Sequence, residues 1–186
     1  MPMKANYLSA LHDIAHIVSQ NRPHQEILRE ILTVLAERVG LERGLISIFH
    51  AELGEIHGDI WHGMDADNPR VKYKLGEGIT GKVTEHGSPM AFTKLEDVPF
   101  FLDRSGLRQN LNLSELAFIC VPIKYYNQVI GTLSVDQANI ALQGDEHELD
   151  EELMLLNITA SLIASYLEQL KIEKENSILR NALKTD

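Results

Sequence analysis

A chain of 186 residues, 44% hydrophobic and 24% charged, has the length and balance of one globular domain whose core needs no disulfide or metal staple. Its 17 Lys and Arg against 27 Asp and Glu leave a formal charge of −10, which repels phosphate backbones and argues against direct nucleic-acid binding. The single cysteine, Cys120, cannot form an internal bridge and points to a reducing, cytoplasmic setting. The longest strongly apolar stretch, 154–167, carries Asn157, Thr159, Ser161 and Ser165; it reads as too short and too polar for a bilayer span, and the N-terminus lacks a basic-then-apolar signal.

Leu8, Leu11, Ala15 and Val18 recur at steps of three and four, which predicts an amphipathic helix over 7–18. His12 and His16 fall on its opposite, solvated face. Zinc needs further ligands, and no H-E-x-x-H or cysteine pair supplies them, so no metal is expected. Asn21-Arg22-Pro23 breaks the helix, since proline disfavours helical backbone in the residue before it. Ile27, Ile31, Val34 and Leu35 mark a second helix, with Gly40 as its C-cap. The period then changes to two. Residues 44–50 read as a strand, Gly54 as a turn and 55–62 as the hairpin partner, with His50, His57 and His62 at its rim. A turn-rich loop follows at 65–69.

A short strand over 71–75 leads through Gly76-Glu77-Gly78 into a short helix, 79–86, closed by Gly87, and then a strand over 90–93. Residues 94–114 show no period, and a loop that long inside a compact domain is usually functional. The β-rich runs 116–125 and 129–136 are separated by three residues, too few for a parallel crossover, so they form an antiparallel hairpin. One long helix over 146–183 closes the chain. Its residues Leu153, Leu156, Ala160, Ile163, Leu167 and Leu170 step as a heptad seam that weakens at Lys174 and Ser177, with Leu155, Leu162 and Tyr166 left to face the sheet.

Gly76-Glu77-Gly78-Ile79-Thr80-Gly81 fits G-x-G-x-x-G, and 76–82 fits most of a phosphate-binding loop. Val83, however, stands where a magnesium-holding hydroxyl is needed. Glu77 would place a carboxylate among phosphates, and the preceding strand alternates with charges instead of being apolar on both faces. The run therefore reads as a glycine turn that starts a helix. Cys120 sits among apolar strand neighbours, where a thiol is inert. No nucleophile elbow is present, and nothing in the chain reads as an enzyme.

The run Val71-Lys-Tyr-Lys-Leu-Gly-Glu-Gly-Ile-Thr-Gly-Lys-Val resembles the glycine-turn-helix entry of a GAF domain. The hairpin built on Phe118-Ile-Cys-Val-Pro-Ile-Lys and Val129-Ile-Gly-Thr-Leu-Ser-Val-Asp136 is similar to that family's central strand pair. Phe100-Phe-Leu-Asp-Arg104 with 118–124 resembles, more narrowly, the N-terminal regulatory domain of NifA-type activators, which continue into a sigma-54-contacting ATPase and a helix-turn-helix. The resemblance spans about 13–166, and this chain stops before any ATPase. It implies an α+β fold of the GAF/PAS kind, with an antiparallel sheet, terminal helices on one face and a ligand pocket on the other. The expected organisation is a dimerisation helix (1–20), the GAF domain (21–168) and a signalling-helix linker (169–186) toward an output domain. The Cys context of bilin-binding relatives is missing, and so are the several cysteines of GAF-fold methionine sulfoxide reductases; no cofactor is expected.

Helices at both chain ends cover one sheet face, which leaves the 94–114 segment and the 79–86 helix to enclose a small pocket on the other. The expected lining is Tyr73, Ile79, Phe92, Lys94, Phe101, Arg104, Phe118, Cys120 and Ser134. Lys94, Arg104 and Arg108 are the candidate cations for a small anionic ligand; the competing reading makes Lys94 and Arg104 solvated loop charges, with Arg104 paired to Asp97 or Asp103. Alternation puts Phe118 and Cys120 on one face of the sheet and Ile119, Val121 and Ile123 on the other. It does not choose which face lines the pocket; the expected arrangement has the first pair there and the other three under the helices. The NifA-type resemblance suggests 2-oxoglutarate as ligand. The expected function is thus a cytoplasmic sensor that controls a sigma-54-dependent activator through its terminal helices and forms a homodimer by them. An inhibitory regulatory protein is a further candidate partner. The alternative is a dimerisation or protein-docking module with no small-molecule ligand.

Overall fold

The computed structural model describes residues 5–63, 71–104, 106, 108, 110–138 and 146–183; the loop expected at 65–69 lies outside them. The chain runs α1 (Ala5–Val18), α2 (His24–Val34), β1 (Arg43–His50), β2 (Glu55–His62), β3 (Lys72–Lys74), α3 (Gly78–His86), β4 (Met90–Phe92), β5 (Leu116–Tyr125), β6 (Gln128–Ala138) and α4 (Glu146–Ala182). The six strands form one antiparallel sheet in the order β3-β2-β1-β6-β5-β4. The expected α+β architecture is present.

Three hydrophobic clusters pack on the sheet, the smallest of them Leu45, Ile56, Val71 and Tyr73. On one face, Ile46, Ile60, Ile119, Val121, Ile123, Leu133 and Val135 pack under α1, α2 and α4. On the other, Phe118 and Cys120 join Ile79, Val83, Leu95 and Val98. Strand alternation thus separates Ile119 from Phe118 in the direction expected. α2 continues into a wide turn at Leu35–Val39 and stops at Gly40, whose φ of +90 is a conformation that glycine adopts without strain.

α1 forms where expected but buries a different stripe. Tyr7, Ala10, Ile14 and Ile17 face the core; of the expected stripe Leu11 and Val18 pack at its margin, whereas Leu8 is 57% exposed and Ala15 lies outside. The two stripes have the same spacing and are rotated by one residue, so periodicity alone does not choose between them. What decides is the fit to α4, where the Tyr7 hydroxyl donates to Glu152 Oε1 at 3.4 Å. His12 and His16 are exposed, as expected.

α4 corrects one expectation. Leu156, Ala160 and Ile163, read as a seam open to a partner, are fully buried together with Leu155 and Ala164; Leu153, Leu162, Leu167 and Leu170 pack around the same core. The helix must cover both the sheet and α1, so it needs one broad apolar face rather than two narrow ones. A window within Leu149–Ala182 is also long and apolar enough, by length and composition, to cross a membrane, with mean hydropathy 1.3. Three of the polar residues that interrupt it turn back onto the helix: Asn157 Nδ2 donates to the Leu153 carbonyl at 2.9 Å, the Ser161 hydroxyl to that of Asn157 at 2.9 Å and the Ser165 hydroxyl to that of Ser161 at 3.1 Å. From Lys171 to Leu183 every residue is exposed, so this last part of the helix projects from the body.

Candidate functional site

The sheet face away from the terminal helices carries the candidate site. β5 contributes Phe118, β6 contributes Ser134 and Asp136, and β1 contributes Leu45; cross-strand pairing sets Phe118 opposite Asp136 and Leu45 opposite Ser134. β3 adds Tyr73, α3 adds Ile79 and Thr80, and the 94–114 segment closes over them with Phe101, Leu102 and Arg108. These residues, apart from Asp136, line a cavity of about 10 Å³, room for one water at most.

The glycine run sets the entry of α3 and does not cradle phosphate. Gly76 and Gly78 adopt φ of +74 and +62, and the Gly76 amide donates to the Gly81 carbonyl at 3.0 Å. The Gly81 amide donates to the Glu77 carbonyl at 2.9 Å, so these amides close the turn on itself. A Cβ on Gly81 would stand 2.3 Å from the Lys74 carbonyl oxygen, which is why that position takes glycine. Glu77 Oε2 accepts from the Lys74 amide at 2.9 Å and its other oxygen from Arg104. The Lys74 amide first, and the Arg104 guanidinium after it, hold the Glu77 carboxyl below the usual carboxylate range.

Behind the cavity lies a buried charge cluster. Asp136, with no exposed side-chain surface, accepts from Arg108 Nε at 2.6 Å, sits 2.5 Å from Arg108 Nη2 and pairs on its other oxygen with Arg43. Asp103 Oδ2 accepts from the Arg108 amide at 2.8 Å, and its Oδ1 lies 3.5 Å from Arg108 Nη1. The Arg108 guanidinium stands 5.5 Å from the centre of the Phe118 ring, within cation–π range. Two guanidiniums thus face two carboxylates, and of these four groups Arg108 is the one on the cavity wall.

Of the residues expected to line a pocket, Tyr73, Ile79, Phe101, Phe118 and Ser134 come together. The other four do not. Phe92, on the edge strand β4, packs on Phe100 at 6.1 Å. Lys94 is exposed. Arg104 is 49% exposed and paired to Glu77, not to Asp97 or Asp103, in a separate outer groove of about 370 Å³ with Glu55, Lys72, Tyr73 and Lys74. Cys120 is on the expected face but fully buried under α3, where loss of solvation pushes its thiol up to about 12. Burial likewise raises the Tyr73 hydroxyl to about 12; it donates to the Leu102 carbonyl at 3.3 Å.

Leu45, Thr80 and Leu102 were not legible as cavity residues, nor was the Asp136 carboxylate behind the cavity. Asp136 shares the parity of Ser134 along β6, a signal that would have placed it on the same face. Among the described residues no group of three His, Cys, Asp or Glu is placed to hold a metal. His57 pairs with Glu55 at 2.7 Å, and His62 Nδ1 lies 3.2 Å from the Thr33 hydroxyl.

A family model described as GAF domain matches residues 23–167. The chain is 29% identical to nitrogen fixation protein AnfA of Azotobacter vinelandii over 97% of this chain and 35% of that protein. It is 35% identical to a Nif-specific regulatory protein of the same organism over 84% of this chain and 30% of the relative. The chain thus spans about a third of the length of these relatives. Its fold is similar to the crystal structure of the A. aeolicus nlh2 GAF domain in an inactive state, with TM-score 0.80 at 24% identity over 90% of this chain and 99% of the other. It is also similar to free methionine-R-sulfoxide reductase from Neisseria meningitidis, with TM-score 0.69 at 17% identity over 91% and 96%.

Proposed function

Because the chain belongs to the GAF family, we propose that it is the regulatory sensor module of a Nif-type transcription activator and that a small carboxylate metabolite is its signal. The names of its relatives, a nitrogen fixation protein and Nif-specific regulatory proteins, support the regulatory role. Control of a sigma-54-dependent output is the finer form of that proposal. Catalysis is not part of it: the one cysteine is buried with its thiol pushed up to about 12, which leaves no thiolate to react.

The observation that carries the ligand class is Arg108, buried at the cavity wall between two carboxylates. Guanidinium grips a carboxylate bidentately. Asp136 is fully buried and shared with Arg43, so it stays. Asp103 belongs to the covering segment and is the partner that an incoming carboxylate replaces. That exchange also loosens the segment over the cavity, which a ligand larger than one water requires. A dicarboxylate such as 2-oxoglutarate would set one carboxylate on Arg108 and lie against Phe101 and Phe118. It shifts the module only by binding the open state more tightly.

Calorimetric titration with 2-oxoglutarate tests this. Heat that Arg108→Met abolishes and Arg104→Met leaves intact is expected; loss in Arg104→Met with Arg108→Met unaffected would move the site to the outer groove. The small cavity favours the second reading, a docking or dimerisation module without ligand, and absence of heat and of a melting shift would select it. In both readings the homodimer forms through the projecting part of α4, where Ile172, Ile178, Leu179 and Leu183 are exposed, and not through the buried Leu156–Ala160–Ile163 row.

A further inference from the structure

The charge cluster and the terminal helices lie on opposite faces of the sheet, yet two consecutive residues join them. Asp136 points to the cavity side, where it holds Arg108 and Arg43. Gln137, next along β6, points to the helix side, as strand alternation requires. Its Nε2 donates to both carboxylate oxygens of Glu152 on α4, at 2.9 Å each. Glu152 Oε1 also accepts from the Tyr7 hydroxyl of α1 at 3.4 Å. Gln137, Glu152 and Tyr7 are all buried. The three form a polar chain that borders the apolar helix-face core and touches both terminal helices.

Resting on the sensor reading above, we infer that Gln137 is the coupling residue of this module: it ties the position of Asp136, and so the state of Arg108, to the seating of α4 and α1. The peptide plane between Asp136 and Gln137 is rigid, so a displacement of one side chain's anchor tilts the other. Arg43, paired across from Asp136 in the β1–β6 register, braces the same point and keeps β6 from absorbing the movement alone. On the helix side an amide that spans both oxygens of a buried carboxylate is direction-sensitive, because a tilt breaks one of the two hydrogen bonds. Apolar contacts slide with less directional preference, which is why the polar chain carries the link.

The test needs no ligand, because Asp103→Asn weakens the hold on Arg108 from the cavity side. Amide hydrogen exchange on the full chain is followed across α4 near Glu152 and across α1 near Tyr7. In the otherwise unaltered protein, Asp103→Asn is expected to change exchange in both helices by about three- to tenfold. With Gln137→Met the same substitution is expected to leave both helices unchanged while still altering the covering segment. With Tyr7→Phe the response should persist in α4 and disappear from α1, which keeps the proposal testable if Gln137→Met does not fold. An undiminished response of either helix in the Gln137→Met background, or of α1 in the Tyr7→Phe background, would overturn the coupling role. So would a response confined to the covering segment in the unaltered background. A failure of 2-oxoglutarate to bind would bear on the ligand reading alone, since no ligand enters this measurement.

Discussion

Replacing Asp136 by Ala removes the one carboxylate that two guanidiniums share. It has no exposed side-chain surface, and its partners Arg108 and Arg43 are 7% and 16% exposed. After the change Arg108 keeps Asp103 at 3.5 Å and Arg43 keeps Glu42 at 3.2 Å. Both of these pairings are longer and less buried than the ones that Asp136 makes. Breaking a buried pair from one side costs about 3–5 kcal/mol, and the two remaining carboxylates place the loss near about 3–4 kcal/mol. A domain of this length loses about 2–4 °C of Tm per kcal/mol, so the melting point should fall by roughly 6–16 °C. Urea unfolding followed by circular dichroism measures the change, with an unaltered m value as the sign that the unfolded state is not involved. Adding Arg108→Met should recover part of the loss, because it removes the buried guanidinium that has lost its shorter pairing. A loss under about 1 kcal/mol, or a double variant whose costs simply add, would refute the reasoning that charge burial governs this cluster.

Gly81→Ala should destabilise more than Gly40→Ala by thermal melting. The first sets a Cβ 2.3 Å from the Lys74 carbonyl oxygen, whereas the second meets open space and costs only the strain of its φ of +90; the reverse order would show that the turn yields. Above the thiol's ordinary value of 9.0, stability should fall with rising pH until about 12, because the unfolded thiol loses its proton in that window and buried Cys120 retains it. Tyr73, raised from 10.0 to about 12 by burial, acts in the same direction, and a urea midpoint that stays flat above pH 9 would contradict both burials.

The sequence by itself determined the order and type of the elements, because their signals are local. Hydrophobic period, the Gly40 and Gly87 caps and the short link between β5 and β6 each act within a few residues. Alternation along β5 was equally legible, and it separated Phe118 from Ile119 without knowledge of what lay on either side. The glycine run was read correctly as a turn because Glu77 and Val83 are chemically wrong for phosphate. Tertiary structure decided everything that depends on which elements meet. Leu8 and Ile14 belong to stripes of the same spacing, and only docking against α4 buried the second. The Leu156–Ala160–Ile163 row has the spacing of a coiled-coil seam, but a helix that covers a sheet uses the same spacing for its own core. Arg104 and Arg108 are four residues apart in an aperiodic segment, so no local rule ranks them. The fold sends Arg104 outward to Glu77 and Arg108 inward to Asp136, twenty-eight residues away along the chain. Charge pairing acts through space, and its partners are assigned only once the sheet has brought distant strands together.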